Sequence, residues 1–145
     1  MSIATMSNLQ VAEAYGAAWN RHDPEACGAL FTDGGVREWM VKPLTGTARF
    51  EGRAAVTEGI RAFMTVLPDI TVELGRMWEI PGGAVLEWRV VGTHRADWAV
   101  WTAQDEPVVF PGVSIFMIDG GRITEERMYW DTGLMTAEWR PPAAG

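Results

Sequence analysis

The residues best suited to moving a proton are a histidine and an aspartate, each near the end of a predicted strand. His94 ends a run, residues 84–94, whose alternate positions are largely apolar, so period-two alternation puts it on an inward face. Asp131 lies near the end of another run, residues 122–132. A carboxylate in apolar surroundings is a stronger base than one in water, and histidine changes its charge between about pH 5 and 8. Both are candidate acid/base residues if they face the interior.

Alternation in the last run leaves its inward face undecided. The two sets of alternate positions are Ile123, Glu125, Arg127, Tyr129 and Asp131 against Thr124, Glu126, Met128 and Trp130. If the first set is inward, its polar groups cost several kcal/mol unless they pair, which predicts a pocket holding water or ligand. If the second is inward, Met128 and Trp130 pack in the core and Asp131 caps the next turn. A β-bulge would change the phase midway, and residues 125–127 are by default a solvated or cross-strand paired cluster.

Eight tryptophans in 145 residues indicate an aromatic interior and a pocket for a small apolar or aromatic ligand. The candidate ligand-binding residues are all aromatic: Tyr15, Trp19, Trp39, Phe63, Trp88, Trp98 and Tyr129. Trp88 is the strongest of them, because it shares the inward face of His94. Tyr15 could donate a hydrogen bond to a substrate carbonyl, or it is a core aromatic with a satisfied hydroxyl. Some of the tryptophans must fill the core or an oligomer interface.

Composition disfavours several classes of function. Nineteen acidic and twelve basic residues give a net charge of −7, so neither nucleic acid nor an anionic membrane is an expected partner. Cys27 is the only cysteine, which excludes an internal disulfide, and two histidines without ligand spacing disfavour a metal site. No glycine-rich phosphate loop is present, so we expect no cofactor. Residues 1–10 lack a secretory signal pattern, so we expect a cytoplasmic protein.

The first half of the chain has helical spacing of its apolar residues. Helices are predicted over residues 7–21, 24–31 and 53–67, with a strand at 36–41 and a loop from there to residue 52. Ser7 or Asn8 can cap the first helix. Asp23 and Pro24 have the residue types of an N-cap and a first helical position, and Pro68 ends the third helix.

The second half changes to the period of a strand. The β-type runs cover residues 70–80, 84–94, 107–118 and 122–132. Gly82-Gly83 and Asp119-Gly120 are hairpin turn signals, whereas a longer loop covers residues 95–106. Helices first and strands last predict an α+β fold, with helices packed on one face of an antiparallel or mixed sheet. Strong curvature of that sheet would enclose a cavity.

Five short motifs have an order and spacing that resemble the SnoaL-like polyketide cyclases of the nuclear transport factor 2-like superfamily. They are WNRHDP (19–24), LPD (67–69), GTH (92–94), DGGRI (119–123) and YWD (129–131). The resemblance runs from about residue 9 to residue 139. It implies one SnoaL-like domain over residues 1–140, and the sequence PPAAG at 141–145 predicts a disordered tail. It also implies a cone-shaped, cystatin-like α+β barrel, in which a curved antiparallel or mixed sheet wraps around N-terminal helices.

The resemblance implies roles for particular residues. In these cyclases a carboxylate on the last strands is the general acid/base of an intramolecular aldol ring closure, and by motif position it corresponds to Asp131. The histidine of the Gly-Thr-His motif corresponds to His94. The related ketosteroid isomerases use a tyrosine on the first helix, which Tyr15 resembles, and an aspartate whose position falls at Trp39. Glu38 is adjacent but faces the other way on a strand, so steroid isomerisation is not expected.

The sequence therefore predicts a cofactor-independent acid/base cyclase or isomerase acting on an apolar, oxygenated, polyketide-like substrate. Two other functions stay open: a non-catalytic ligand-binding or dimerisation module, and a hydrolase or dehydratase that activates water in the same pocket. The epoxide-hydrolase branch of the superfamily activates water with an Asp-Arg-Asp cluster. Arg89 could belong to such a cluster only by facing inward, and strand alternation opposes that.

We also expect a homodimer formed through the sheet, as is common in the family. With His94 and Asp131 inward, the outward face would mix apolar and charged or polar residues: Val85, Val91, Met128 and Trp130 beside Glu87, Arg89, Thr93 and Glu126. A sheet with helices on one face leaves its other face to water unless a partner covers it. Apolar residues interspersed with charges suit an interface with a hydrophobic centre and a polar rim.

Overall fold

A serine caps the start of the first helix. The computed structural model of the protein describes residues 6–41, 48–98 and 102–131, and in it α1 spans Asn8–Asn20. Ser7 Oγ accepts a hydrogen bond from the backbone N–H of Gln10 at 3.2 Å, and the Gln10 side chain accepts one from the backbone N–H of Ser7 at 2.9 Å. This reciprocal pair satisfies donors that a helix start leaves free. Of the two predicted caps, Ser7 is therefore the one used.

Two further helices lie in the described part of the chain: α2 (Pro24–Ala29) and α3 (Arg53–Val66). Asp23 caps α2, because its Oδ1 accepts a hydrogen bond from the backbone N–H of Ala26 at 3.0 Å, and Pro24 takes the first helical position as predicted. The two helices pack closely. A Cβ atom added to Gly28 would lie 1.9 Å from Oγ1 of Thr57, so only glycine permits this approach.

Six strands of the described residues form one mixed sheet with the order β2-β1-β6-β5-β4-β3. Their bounds are β1 Phe31–Trp39, β2 Arg49–Glu51, β3 Thr71–Ile80, β4 Gly83–Thr93, β5 Pro107–Asp119 and β6 Arg122–Trp130. β1 and β6 run parallel, and the other neighbours are antiparallel. The sheet is open, because β2 and β3 lie at its two edges. The predicted α+β class with a mixed sheet is confirmed.

Strand β1 differs from its prediction, because it begins at Phe31 rather than at residue 36. The intervening Gly34-Gly35 pair is typical of a turn. Here a register shift between Phe31 and Val36 accommodates it within the pairing to β6. β2 was also not predicted, since it occupies three residues of the expected loop.

From Glu126 onward, the last strand buries its even-numbered residues. Glu126, Met128 and Trp130 are 3%, 4% and 6% exposed, whereas Tyr129 is 39% exposed and Asp131 is also exposed. A bulge in the pairing with β5 changes the phase after Ile123, which is itself buried. The possible inward placement of Tyr129 and Asp131 is therefore wrong, and so is the outward placement of Met128 and Trp130. Burial of these large apolar side chains outweighs the polar alternative.

Helices α1 and α3 lie against the inner face of the sheet, with α1 on β3 and β4 and α3 on β1 and β2. The inner face is rich in aromatic side chains, and Tyr15 of α1 packs edge-to-face on Phe31 and Phe116. Among the described residues, no helix is long and apolar enough to cross a membrane.

Candidate active site

The inner face of the sheet and helices α1 and α3 line a cavity of about 50 Å³ that is partly open to solvent. A water molecule needs roughly 10–15 Å³ of such space, so the cavity has room for a few waters or a small organic group. Its wall is largely aromatic and aliphatic. The polar members of the wall are few: Tyr15, Arg37, Ser114 and Glu126.

Glu126 is the centre of the polar network in this cavity. Its Oε1 accepts hydrogen bonds from the Tyr15 hydroxyl at 2.7 Å and from Arg37 Nε at 3.2 Å. Its Oε2 accepts one from the Ser114 hydroxyl at 2.8 Å. A carboxylate has about four lone-pair sites, so these donors from the described residues leave room for one more proton at Oε2. The carboxylate is thus held firmly but is not saturated.

Arg37 is buried beside Glu126, and the two side chains are only 5% and 4% exposed. Its Nη2 donates to Sδ of Met128 at 3.2 Å, and its guanidinium lies 5.4 Å and 5.9 Å from the ring centroids of Trp19 and Trp39. Such contacts between a cation and the face of an aromatic ring are attractive. Its Nη1 is buried without a hydrogen-bond partner among the described residues. The guanidinium therefore keeps an unused donor.

The parallel pairing of β1 and β6 brings these two charges together. Arg37 and Glu126 are partners in the register of the two strands, although 89 positions separate them in the chain. Arg37 shares its strand face with Trp39, two residues later, and Glu126 shares its face with Met128. This period-two relation to large apolar residues is the sequence signal that could have identified both. The sequence assigns Glu126 to a solvated or cross-strand paired cluster. The solvated alternative is wrong, because Glu126 is buried, whereas the cross-strand pairing is present and its partner is Arg37.

Burial and charge shift the pKa values of two groups in this network, Tyr15 and Arg37. Burial, reinforced by the negative charge of Glu126, raises the pKa of Tyr15 well above its ordinary value. Tyr15 therefore stays protonated and donates to the carboxylate. Burial alone would lower the pKa of Arg37, but the adjacent oxygens of Tyr15 and Glu126 outweigh it, and the net direction is upward. The site thus holds a fixed positive charge beside a carboxylate.

Trp88 orients the hydroxyl on the other side of Glu126. Its Nε1 donates to Ser114 Oγ at 2.9 Å. Because an indole N–H can only donate, Ser114 must direct its own proton elsewhere, and it donates to Glu126. Trp88 fits here because its ring lies over Gly112, where an added Cβ would be 2.2 Å from the ring. Gly112 is thus required for the position of the indole.

Most of the predicted ligand-binding aromatics lie in the cavity wall: Tyr15, Trp19, Trp39, Phe63 and Trp88. Two described members of that set do not. Trp98 is half-buried outside the wall and packs on Trp39 at 4.8 Å and Phe63 at 5.3 Å between ring centroids. Tyr129 is on the outer face of the sheet. Ligand binding by any of these residues stays a prediction.

The structure does not bring the expected acid/base pair into this cavity. His94 and Asp131 are both described residues, and neither is part of its wall. His94 is 1% exposed beyond the end of β4, with burial lowering its pKa and with no partner for Nε2 in the described part of the chain. Asp131 follows β6 and is exposed. Of the two carboxylates, Glu126 therefore lies in the cavity wall and Asp131 does not.

Glu38 and Arg89 face as the strand alternation predicts. Glu38 faces away from the cavity and pairs with Arg49 at 3.1 Å. Arg89 is exposed and pairs with Glu73, so it cannot join a water-activating cluster in the cavity. Within the described ranges, no group of three or more His, Cys, Asp or Glu side chains could hold a metal ion.

Several solved structures share this fold. A candidate SnoaL-like polyketide cyclase from Jannaschia sp. CCS1 has a TM-score of 0.78 over 93% of each chain, at 16% identity. A hypothetical protein with a ketosteroid isomerase-like fold from Catenulispora acidiphila DSM 44928, in complex with trimethylamine, has a TM-score of 0.76 over 93% of this chain and 100% of its own, at 18% identity. SalBIII, an epoxide hydrolase/cyclase-like enzyme with a role in pyran ring formation in the polyether salinomycin, has a TM-score of 0.70 over 87% and 92%, at 22% identity.

At such low identities, the structural likeness shows the fold alone. No curated protein matches the sequence. The SnoaL-like domain family, however, matches residues 12–126, which is most of the chain. That span includes the whole polar network of the cavity and ends before Asp131. The resemblance seen in the sequence is thus confirmed at the level of the family, and the chain belongs to the SnoaL-like domain family.

Proposed function

We propose that this protein is a cofactor-independent enzyme of the cyclase or isomerase class, with Glu126 as its general acid/base and an apolar, oxygenated substrate. The observation that carries the proposal is the buried Glu126–Arg37 pair in the wall of an aromatic cavity. A carboxylate held by two hydroxyls and a guanidinium, with one lone-pair site left, is positioned to take and return a proton. The SnoaL-like family and its cyclase-type structural neighbours support the same class.

The proposed step is proton transfer at a carbon next to a carbonyl. The C–H bond breaks, its proton moves to Oε2 of Glu126, and its electron pair forms the C=C bond of an enolate. In a cyclase, the enolate carbon then bonds to a second carbonyl carbon of the same molecule, and the new alkoxide takes the proton back. In an isomerase, the proton returns to a different carbon. Either reaction regenerates the Glu126 carboxylate and consumes no oxidant or reductant.

Arg37 keeps a positive charge beside the negative charge throughout this step. Before the transfer, the guanidinium faces the Glu126 carboxylate at 3.2 Å. During the transfer, the negative charge moves from the carboxylate to the enolate oxygen within the same cavity. The total charge beside Arg37 is therefore unchanged, and a fixed positive charge in an apolar site stabilises the developing anion without rearrangement.

Hydrogen–deuterium exchange tests the role of Glu126. We expect the native protein in D₂O to accelerate α-hydrogen exchange of small ketones such as acetophenone and cyclohexanone. Glu126→Gln keeps the shape of the side chain but removes the base, so exchange should fall by about 10² or more. Glu125→Gln is the matched control, because it makes the same change one residue earlier and is not part of the cavity wall. Proton NMR of the ketone gives the rate, and circular dichroism checks the fold.

Asp131→Asn separates the two candidate carboxylates. If Glu126 is the base, Asp131→Asn exchanges deuterium at the native rate, because Asp131 is exposed and is not in the cavity wall. If Asp131→Asn abolishes exchange while Glu126→Gln retains it, the role implied by the family motif is correct and ours is wrong. Equal rates in the native chain and all variants would contradict both assignments.

Water activation in the same cavity is a second candidate, favoured by a volume that suits a few waters. Glu126 would then take a proton from a water whose oxygen bonds to an electrophilic carbon. Oxygen-18 from labelled water would enter the product of such a hydrolase, whereas ring closure by an aldol step followed by proton return incorporates none. Ligand binding without exchange or incorporation would identify a non-catalytic module.

A further inference from the structure

We propose that the cavity binds a neutral carbonyl oxygen at Arg37 and discriminates against carboxylates. The inference rests on the proposed function, because it concerns the polar group by which that substrate is held in the same cavity. The inference can still be tested separately from the proposed function, because the measured quantity is binding and not turnover. It identifies the substrate class as aromatic or apolar ketones without an acid group near the reacting carbon.

The hydrogen-bond inventory of the network shows a surplus of donors. The hydroxyl protons of Tyr15 and Ser114 are both used on Glu126. Arg37 uses Nε on Glu126 and Nη2 on the sulfur of Met128. Its Nη1 is buried with no partner in the part of the chain that the structure describes. A buried donor without an acceptor is unfavourable, so an oxygen lone pair from a ligand or a bound water would stabilise this nitrogen.

The charge balance of the site favours a neutral acceptor. Arg37 is already paired with Glu126 at 3.2 Å, so the two together carry no net charge. A ligand carboxylate would add an unpaired negative charge beside Glu126 in a wall that is almost entirely apolar. Burying a charge without its own partner costs more than one hydrogen bond returns. A carbonyl oxygen accepts the same hydrogen bond without that cost.

The remainder of the cavity is built for flat apolar groups. Trp130 stacks on Phe110 with ring centroids 4.4 Å apart, and Trp88 lies edge-on to Phe110 at 6.2 Å. All three line the cavity together with Trp19 and Trp39, which flank the guanidinium. An aromatic ring attached to the carbonyl would contact these faces while the oxygen reaches Arg37.

Three probes of similar shape isolate the polar group: acetophenone, benzoate and isopropylbenzene. We expect native protein to bind acetophenone at least about tenfold more tightly than benzoate, measured by titration calorimetry or ligand-observed NMR. With carbonyl-labelled acetophenone, the ¹³C signal should move downfield on binding, as it does when a carbonyl accepts a hydrogen bond. Isopropylbenzene measures the apolar contribution alone.

Arg37→Lys removes the planar fork but keeps a positive charge for Glu126. We expect it to weaken the binding of acetophenone about tenfold and that of isopropylbenzene by less than twofold, because only the ketone loses a hydrogen bond. Arg89→Lys is the matched control on the exposed face and should change neither. Glu126→Gln should tighten the binding of benzoate about tenfold, because Arg37 then lacks its carboxylate partner. Glu125→Gln should leave benzoate binding unchanged.

Four results would overturn the inference. The first is that native protein binds benzoate more tightly than acetophenone, and the second is that Arg37→Lys weakens the binding of ketone and hydrocarbon equally. The third is that Glu126→Gln does not tighten the binding of benzoate. The fourth is that no probe binds at millimolar concentration. If Arg37→Lys fails to fold, the native series and the Glu126→Gln arm still decide the matter. Selective ketone binding without deuterium exchange would contradict the proposed function alone.

Discussion

Arg37 and Glu126 form a pair that costs free energy to bury. Removing two opposite charges from water costs several kcal/mol per ion, and the pair recovers this only with good geometry and satisfied neighbours. Tyr15 and Ser114 each donate to the carboxylate, but the guanidinium keeps a nitrogen without a partner among the described residues. Apolar residues of the same volume would stabilise the fold at least as well. A charged pair in a cavity wall therefore favours a role in binding or catalysis over a role in stability.

We expect His94 to make the free energy of unfolding depend on pH. It is 1% exposed and its Nε2 has no partner among the described residues. Burial lowers its pKa, and a backbone hydrogen bond with Ala96 and the charge of Asp97 oppose this only in part. The native pKa is thus below the unfolded value of about 6.5, so the unfolded chain binds the proton first. We expect the free energy of unfolding to fall as pH drops from about 7 through 6.5 toward the native pKa.

Urea denaturation between about pH 7.5 and 5 measures this dependence. His94→Gln cannot take up the proton, so its free energy of unfolding should change less over that range than that of the native chain. His22→Gln is the matched control, because His22 is the other histidine and is exposed. An identical pH slope in His94→Gln and native protein would show that other groups cause the acid sensitivity.

At the scale of elements, helix α1 depends on its cap. Ser7→Ala removes the side-chain acceptor for the Gln10 N–H, so we expect a loss of about 1 kcal/mol in the free energy of unfolding. The control is Thr65→Ala, an exposed hydroxyl inside α3 that bonds back to the carbonyl of Arg61. It should be neutral or slightly stabilising, because such bonds do not support a helix. Urea denaturation measures both, and equal losses would contradict a specific role of the cap.

Elements with strong local signals could be predicted from the sequence. The caps at Ser7 and Asp23 act over a few residues and have the expected place. Both hairpins are present, but each turn lies one residue from the predicted pair, at 81–82 and at 120–121. The facing of β6 could not be predicted, because its two faces are similar in polarity and pairing with β5 decides between them. The buried pair of Arg37 and Glu126 was missed for a related reason. Charged residues are normally exposed, and only long-range pairing of β1 with β6 makes these two neighbours.

At the scale of the whole molecule, we propose that the outer face of the sheet joins two copies of the chain. Tyr129 and Val109 are 39% and 49% exposed there, although the expected Met128 and Trp130 are not. Val113, opposite Tyr129 in the β5–β6 register, adds to the apolar centre, and exposed Arg89 carries charge beside it. Apolar residues with a charged border suit an isologous interface.

Light scattering at micromolar concentration should report twice the 16.0 kDa mass of the chain. Val109→Glu places a charge on the proposed interface and should shift the protein toward the monomer, because a buried charge without a partner is costly. Val41→Glu is the control, since Val41 is also an exposed valine but lies beyond the end of β1. A native monomer, or equal effects of the two variants, would contradict the dimer.

The central position of β6 has a consequence for synthesis. This strand lies between β1 and β5, yet it is the last of the six to leave the ribosome. Arg37 emerges 89 residues before Glu126, which at about 5–20 residues per second is a delay of about 4–18 seconds. During that time β1 lacks the neighbour that joins it to the rest of the sheet, and the guanidinium lacks its counter-ion. The nascent chain must therefore keep Arg37 in water, and the cavity can close only after β6 has left the ribosome.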